Sequence, residues 1–245
     1  STMDGYNPYR LTREGFDWEV PEPDNPWAYI GYWGDHQIIY LLKFLELFEK
    51  FYPGKLLDTF KEQTFVYANV PYRIKRYQDI LENPQDTIEF DRELHAKIMQ
   101  RTHEIGADGK LVTLRNGKIC RASFTEKILV SVLTKLSNFV PDGGIWLNTQ
   151  RPEWNDANNA LVGNGASMVT LYHLRRYINF FVKILTSNPS EKYQLSNEVF
   201  EFFSKISEAF NEHTINLEKG FTDCTRKAFV DMLGTAGSEY RSMAY

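Results

Sequence analysis

The spacing of apolar residues along the chain predicts a protein built mainly of α-helices. The first clear helical pattern covers residues 36–52, where apolar side chains recur every three or four positions. These apolar residues are Ile38, Leu41, Leu42, Leu45 and Phe48. Pro53 and Gly54 end the pattern, and a second helix is expected over residues 55–64. The two helices are predicted to form a helical hairpin.

Three more helices are predicted in the middle of the chain, over residues 71–82, 87–105 and 123–138. Asn83-Pro84 separates the first two. Ser123 and Glu126 have the spacing of a capping box, in which Ser123 caps the helix and Glu126 reaches back. Between these helices, residues 107–118 alternate turn signals with a short apolar run, which predicts a small β-hairpin.

The last part of the chain predicts a long helix over residues 165–186, apolar on several sides and the longest of the set. Helices over 196–217 and 222–233 follow it, and a Gly-containing loop is expected at the end. No linker or low-complexity segment is visible, so residues 1–245 are predicted to form a single all-α domain. The repeated helix pairs indicate a helical array or toroid.

Composition narrows the possible partners. The chain is 42% hydrophobic and 15% aromatic, enough for a sizeable core, and its net charge of −4 disfavours nucleic acid as the main partner. Cys120 and Cys224 give neither a disulfide framework nor a metal-site spacing, and the five histidines form no HExxH pattern. We therefore expect no metal and no cofactor. No apolar run is long enough to span a membrane, no signal peptide is visible, and a cytoplasmic location is favoured.

The segment with the most chemical information is residues 151–159, Arg-Pro-Glu-Trp-Asn-Asp-Ala-Asn-Asn. An indole such as Trp154 can stack on a sugar ring, and a carboxylic acid such as Glu153 or Asp156 can protonate a glycosidic oxygen. The alternative is purely structural, with Asp156 or Asn155 capping a helix and Trp154 anchoring the core. The density of hydrogen-bonding side chains favours binding, because ordering them costs conformational entropy.

A second aromatic segment, residues 25–37, holds two tryptophans, two tyrosines, an aspartate and a histidine just before the first helix. Tyr32 and Trp33 could serve as stacking platforms, and Asp35 could accept hydrogen bonds from sugar hydroxyls. The alternative is an aromatic plug that closes one end of a helical bundle.

Residues 151–156 resemble the (D/E)-W-N-D segment of inverting sugar enzymes built on an (α/α)6 toroid, especially the cellobiose and chitobiose phosphorylases. The resemblance implies that Asp156 is the general acid. It also implies that the residues around it, Gln150, Arg151, Glu153, Trp154 and Asn155, contact the substrate. Residues 31–37 are similar to the aromatic-Asp loop that binds the nonreducing sugar in such toroids, which implies the same role for Tyr32, Trp33 and Asp35.

The resemblance implies an oligosaccharide or glycoside substrate, with inorganic phosphate as a second substrate in a phosphorylase. A hydrolase of this type needs a second carboxylate ~6.5–9.5 Å from the acid. Glu239 is the candidate base, because the bases of related hydrolases lie late in the chain, and Glu153 is the rival acid. The Arg and Gln-Asp arrangement typical of the phosphorylases is absent.

The predicted helices number roughly seven or eight at typical lengths, fewer than a complete toroid needs. The chain therefore resembles a partial toroid, and the remainder of a longer chain is an expected partner. Two alternatives stay open: a non-catalytic carbohydrate-binding module, and a helical interaction module in which the aromatic segments only pack.

Overall fold

The computed structural model describes residues 1–5, 9–12, 15–18, 35–148, 164–187 and 189–245. The chain divides into two compact units. Unit 1 consists of Ser1–Trp33, Val66–Arg121 and Leu147–Gly165, and unit 2 of Gly34–Phe65, Ala122–Trp146 and Ala166–Tyr245. Whether the two units form one domain, as the sequence predicts, stays a prediction.

The described residues are predominantly helical, as the apolar spacing predicts, and include nine α-helices and several short strands. Unit 2 holds most of the helices. They are α1 (Asp35–Phe51), α2 (Lys55–Thr59), α5 (Phe124–Leu136), α6 (Met168–Thr186), α7 (Asn197–Glu212), α8 (Thr214–Lys219) and α9 (Asp223–Ala244). Unit 1 holds α3 (Tyr77–Glu82), α4 (Arg92–Ile105) and a 3-10 turn at Gly106–Lys110.

The core of unit 2 is formed where α1, α5 and α6 pack on one another. The predicted stripe on α1 is confirmed, since Ile38, Leu42 and Leu45 are buried and Leu41 and Phe48 pack against them. Helix α5 is buried on most of its sides, with Ile128, Val130 and Leu133 all buried. Burial of such apolar side chains contributes about 1.5–3 kcal/mol each, which makes this cluster the main source of stability in the unit.

The predicted cap of α5 is confirmed, because the Oγ of Ser123 accepts a hydrogen bond from the Glu126 amide at 3.1 Å. The Glu126 carboxylate accepts a hydrogen bond from the amide of Ser196 at 2.7 Å, and its predicted reach back to Ser123 stays a prediction. Ser196 is the N-cap of α7. One buried carboxylate therefore ties the start of α7 to the start of α5.

The prediction that the last helix ends near residue 233 is wrong. Helix α9 continues through Gly234 and Gly237 to Ala244, and at 22 residues it, not α6, is the longest described helix. Gly237 is needed for packing: a Cβ added there would lie 2.9 Å from the Cβ of Ser137 at the end of α5. Glycine that interrupts a helix pattern in sequence here allows two helices to approach closely.

Two strands of a small antiparallel sheet in unit 2 come before residues 151–159 in the sequence, and the third strand comes after them. The strands of this sheet are β7 (Phe139–Val140), β8 (Gly144–Trp146) and β9 (Ala166–Ser167), in the order β7-β8-β9. In the β8–β9 pair Ile145 lies opposite Ser167. Gly144 has a φ of 125°, and a Cβ there would lie 2.9 Å from the Ser167 carbonyl oxygen, so the position requires glycine.

Unit 1 contains strands where helices were expected. The predicted helix over 71–82 is instead β4 (Tyr72–Ile74) followed by α3, and the predicted helix over 87–105 is β5 (Ile88–Phe90) followed by α4. Strands β4 and β5 pair antiparallel, with Arg73 opposite Glu89. Asp91 caps α4 through its carboxylate, so the helix begins at the cap and the preceding residues are free to form a strand.

Two further features of unit 1 are local. Strands β1 (Tyr9–Thr12) and β2 (Gly15–Trp18) form an antiparallel pair. The predicted hairpin is present as a tight turn around Gly117, where Thr113 and Ile119 form an antiparallel bridge. The remaining strands, β3 (Phe65–Val66) and β6 (Arg121–Ala122), lie where the chain passes from one unit to the other.

Candidate functional site

Most of the predicted site residues lie outside the described residues. They are Tyr32, Trp33, Gln150, Arg151, Glu153, Trp154, Asn155 and Asp156. Asp35 is the first residue of α1, where only the backbone is described. The assignments of these residues therefore stay predictions, and the described residues bear on the two ends of the segment that carries Asp156.

A backbone hydrogen bond joins the residues at the two ends of this segment. The amide of Leu147 donates to the carbonyl of Gly165 at 3.0 Å, which brings together two residues on either side of the motif. The sequence predicts a loop between these two residues, and we therefore name residues 148–164 the motif loop. Its ends are fixed next to each other, so ordering the loop costs less entropy than ordering a free segment of the same length.

A turn of unit 1 contacts both ends of the motif loop. The hydroxyl of Thr87 donates to the carbonyl of Asn148 at 2.5 Å, and both residues are buried. Two residues earlier, the side-chain amide of Gln85 donates to Oδ1 of Asn164 at 3.4 Å. Sequence reasoning missed both contacts, because Gln85 and Thr87 belong to a polar turn that carries no motif. Only the pairing of β4 with β5 places this turn.

The segment that follows the loop is anchored in unit 2. Ser167 ends β9 and caps α6, since its Oγ accepts from the Thr170 amide at 3.1 Å. The hydroxyl of Thr170, which is fully buried, also donates to this Oγ. The loop therefore leads into a firmly capped helix. This cap lies two residues beyond Gly165, the first residue of the predicted helix.

Glu239, the candidate base, lies on α9 in a polar setting. Its Oε2 accepts a hydrogen bond from Nζ of Lys205 on α7 at 2.6 Å, and both side chains remain about half exposed. An exposed ion pair of this kind stabilises a protein by about 0–1 kcal/mol. This ion pair is typical of a surface residue. The role of Glu239 as a base stays a prediction.

A cavity of about 500 Å³ lies in unit 2, along one side of α5. It is lined by apolar residues of α5, α6 and α7 together with Phe60, and by the polar side chains of Thr125, Ser207 and Asn211. The Thr125 hydroxyl already donates to the Phe60 carbonyl. Among the described residues, no carboxylate or other charged side chain lines this cavity. A sugar needs many hydrogen-bond partners, so the cavity suits apolar groups and is a poor sugar site.

A second depression, in unit 1 beside β4 and α3, is charged but internally paired. Lys75 contacts Asp86 at 2.5 Å, and Arg76 donates to both carboxylate oxygens of Asp79. The hydrogen bond from Arg76 lowers the pKa of the Asp79 carboxyl. Asp79 and Asp86 are therefore engaged by cations, and a third carboxylate, that of the exposed Glu89, also lines the depression.

Within the described part of the chain, no group of three or more His, Cys, Asp or Glu side chains is arranged to hold a metal ion. No described helix is both long enough and apolar enough to cross a bilayer. Comparison with protein-family models finds no matching family, and comparison with curated proteins finds no match either.

Proposed function

We propose that this chain is the helical part of a carbohydrate-active protein of the inverting glycosidase or glycoside phosphorylase type, with Asp156 as general acid. The proposal includes the finer fold assignment, in which the helices of unit 2 belong to an (α/α)6-type toroid. It rests on the Trp154-Asn155-Asp156 motif and on its resemblance to the (D/E)-W-N-D segment of those enzymes.

The observation that best supports the proposal is the anchoring of the motif loop. A general acid must be held within hydrogen-bond reach of the leaving oxygen, so the segment that carries it needs fixed ends. Here the Leu147–Gly165 hydrogen bond and the buried Thr87–Asn148 hydrogen bond fix them.

The proposed chemistry uses three side chains of the loop. Asp156, protonated, donates its proton to the glycosidic oxygen as the bond to the leaving sugar breaks. Trp154 stacks on the sugar ring, and Asn155 binds a hydroxyl. Water, activated by a second carboxylate, attacks the opposite face in a hydrolase; inorganic phosphate attacks there in a phosphorylase. Both routes invert the anomeric carbon.

The test combines turnover with binding. The 245-residue chain and its Asp156→Asn variant are incubated with cellobiose, chitobiose and 4-nitrophenyl glycosides, each with and without phosphate, and the product anomer is identified by NMR. We expect loss of at least about 10²-fold in turnover for Asp156→Asn, since general acid catalysis contributes that much. Glu153→Gln tests the rival acid, and a loss of turnover confined to this variant would transfer the acid role to Glu153. Full activity in Asp156→Asn would remove the assignment.

A non-catalytic carbohydrate-binding module is the second candidate. The Glu239–Lys205 ion pair favours it, because a candidate base already engaged by a lysine leaves Asp156 without an evident partner among the described residues. The two candidates are separated by titrating the chain with the same sugars and following tryptophan fluorescence. Binding that Trp154→Ala abolishes, with no turnover of any sugar, would support the module. An absence of both binding and turnover would contradict both candidates.

A further inference from the structure

Helix α1 is apolar on two opposite faces, and only one of them is buried. Ile38, Leu42 and Leu45 lie in the core of unit 2. The other face carries a row of large exposed side chains, which we name the α1 seam: Tyr40 (58% exposed), Phe44 (60%), Leu47 (55%) and Phe51 (70%). A row of large apolar side chains left exposed along a helix marks a surface for binding.

The spacing of the seam fits another helix. Its residues follow one another at intervals of four, three and four, which is the a/d pattern of helices that pack side by side. The row from Tyr40 to Phe51 is about 17 Å long at 1.5 Å per residue. With about 200 Å² for a fully exposed aromatic side chain, it presents roughly 450 Å². That lies within the range of about 300–600 Å² for the largest apolar patch on an ordinary monomer, a patch that is often functional.

The charges beside the seam are cationic. Lys43 and Lys50 are exposed and occupy equivalent positions, seven residues apart, along one edge of the seam. Within the described part of the chain neither forms an ion pair, although the Lys43 ammonium lies 5.7 Å from the centre of the Tyr40 ring. The next residue along this side, Glu46, is already paired with Arg176 of α6. The edge of the seam is therefore positively charged.

We infer that the α1 seam binds a partner protein through an amphipathic helix whose apolar face is bordered by carboxylates. The apolar residues of such a helix would pack between Phe44, Leu47 and Phe51. Its glutamates or aspartates would pair with Lys43 and Lys50, in the way that charges at the edge of a coiled-coil seam select a partner. This inference is independent of the proposed sugar chemistry.

A second copy of this chain fits the seam less well. Two α1 helices packed antiparallel would place Lys43 and Lys50 of one copy beside the same lysines of the other, and like charges there oppose association. A lipid surface fits less well too, because interfacial helices insert a broad apolar face and this seam is one row wide.

The experiment uses two synthetic helices of about three heptads, each with leucine at the seam positions and a fluorescent label. One carries glutamate at the flanking positions and the other carries lysine. Binding to the 245-residue chain is followed by fluorescence anisotropy. We expect saturable binding of the glutamate helix and about tenfold weaker binding of the lysine helix. Phe44→Ser combined with Leu47→Ser should abolish binding; circular dichroism confirms that this variant is folded.

Charge reversal supplies the decisive control. Lys43→Glu combined with Lys50→Glu should invert the preference, so that the lysine helix binds more tightly than the glutamate helix. Equal binding of the two helices, or binding of neither, would overturn the inference. Two further results would overturn it: seam-dependent binding to vesicles of phosphatidylserine and phosphatidylcholine without binding of either helix, or a concentration-dependent dimer that Phe44→Ser and Leu47→Ser dissociate.

Discussion

Thr87 and Asn148 lie 61 residues apart in the sequence, and the hydroxyl of the first donates to the backbone carbonyl of the second at 2.5 Å. Both residues are buried. A buried carbonyl without a partner costs about 1–3 kcal/mol, so this contact strongly favours one position of the chain at the entrance to the motif loop. It links a turn that carries no recognisable motif to the segment that carries the candidate acid.

Replacing Thr87 with valine tests this link, because valine keeps the shape and removes the donor. We expect a loss of about 1–3 kcal/mol in the free energy of unfolding, since the Asn148 carbonyl is left buried without its partner. The measurement is chemical denaturation followed by circular dichroism. If Asp156 acts on sugars, turnover or sugar binding should fall as well. Thr102→Val is the control: its hydroxyl bonds to the Ile98 carbonyl within α4, so sugar binding should not change.

Two substitutions distinguish the ion pair of Glu239 from the proposed role of its carboxylate as a base. Glu239→Gln and Lys205→Met each break the same ion pair, and each should change stability by less than about 1 kcal/mol because the pair is half exposed. Only Glu239→Gln removes the carboxylate. If Glu239 is the base, that variant alone should lose turnover. Equal turnover in the two variants would exclude the base role.

Tyr177 carries a fully buried hydroxyl that has no hydrogen-bond partner among the described residues. Tyr177→Phe removes this hydroxyl and keeps the ring that packs against Phe181. We therefore expect the variant to be as stable as the parent or more stable by about 1 kcal/mol. Thr125→Val is the contrast, because the Thr125 hydroxyl does have an acceptor, the Phe60 carbonyl, and its loss should destabilise. A large destabilisation in Tyr177→Phe would show that the hydroxyl has a partner.

The same residue predicts a pH dependence. Burial raises the pKa of the Tyr177 hydroxyl above its ordinary value of 10. Above about pH 10, the tyrosine of the unfolded chain releases its proton while the folded chain keeps it. The unfolded state then binds fewer protons, so folding stability falls as pH rises. Tyr177→Phe should reduce this fall. The measurement is the denaturation midpoint of both proteins between pH 8 and about pH 11; identical slopes would contradict the prediction.

Gly237 is predicted to be intolerant of even a methyl group. Alanine is favoured over glycine in a helix by about 1 kcal/mol, so Gly237→Ala would stabilise α9 if packing were indifferent. The added Cβ would meet Ser137 at 2.9 Å, and we expect a net destabilisation of about 1–3 kcal/mol. Adding Ser137→Gly to that variant should recover part of the loss. Two losses that simply add would show that the residues do not interact.

The sequence was sufficient for the elements whose apolar spacing is long and regular. The sequence predicts helices α1, α5, α6 and α7 in nearly the right places. Apolar residues spaced three and four positions apart over several turns indicate a helix without reference to any other element. Short elements were harder. Residues 71–74 and 88–90 are strands only because they pair with each other across a turn, and neither segment is long enough to show that in its own pattern.

The same distinction between local pattern and tertiary packing applies to the candidate site. The sequence by itself determined which residues could perform the chemistry, because a Trp-Asn-Asp segment with a flanking carboxylate is a local pattern. Only the tertiary structure decided that Thr87 and Gln85 hold the two ends of the motif loop, that Glu239 pairs with Lys205, and that Gly237 joins helices instead of ending one. The physical reason is that each of these contacts joins residues far apart in the chain, and such contacts depend on how whole elements pack.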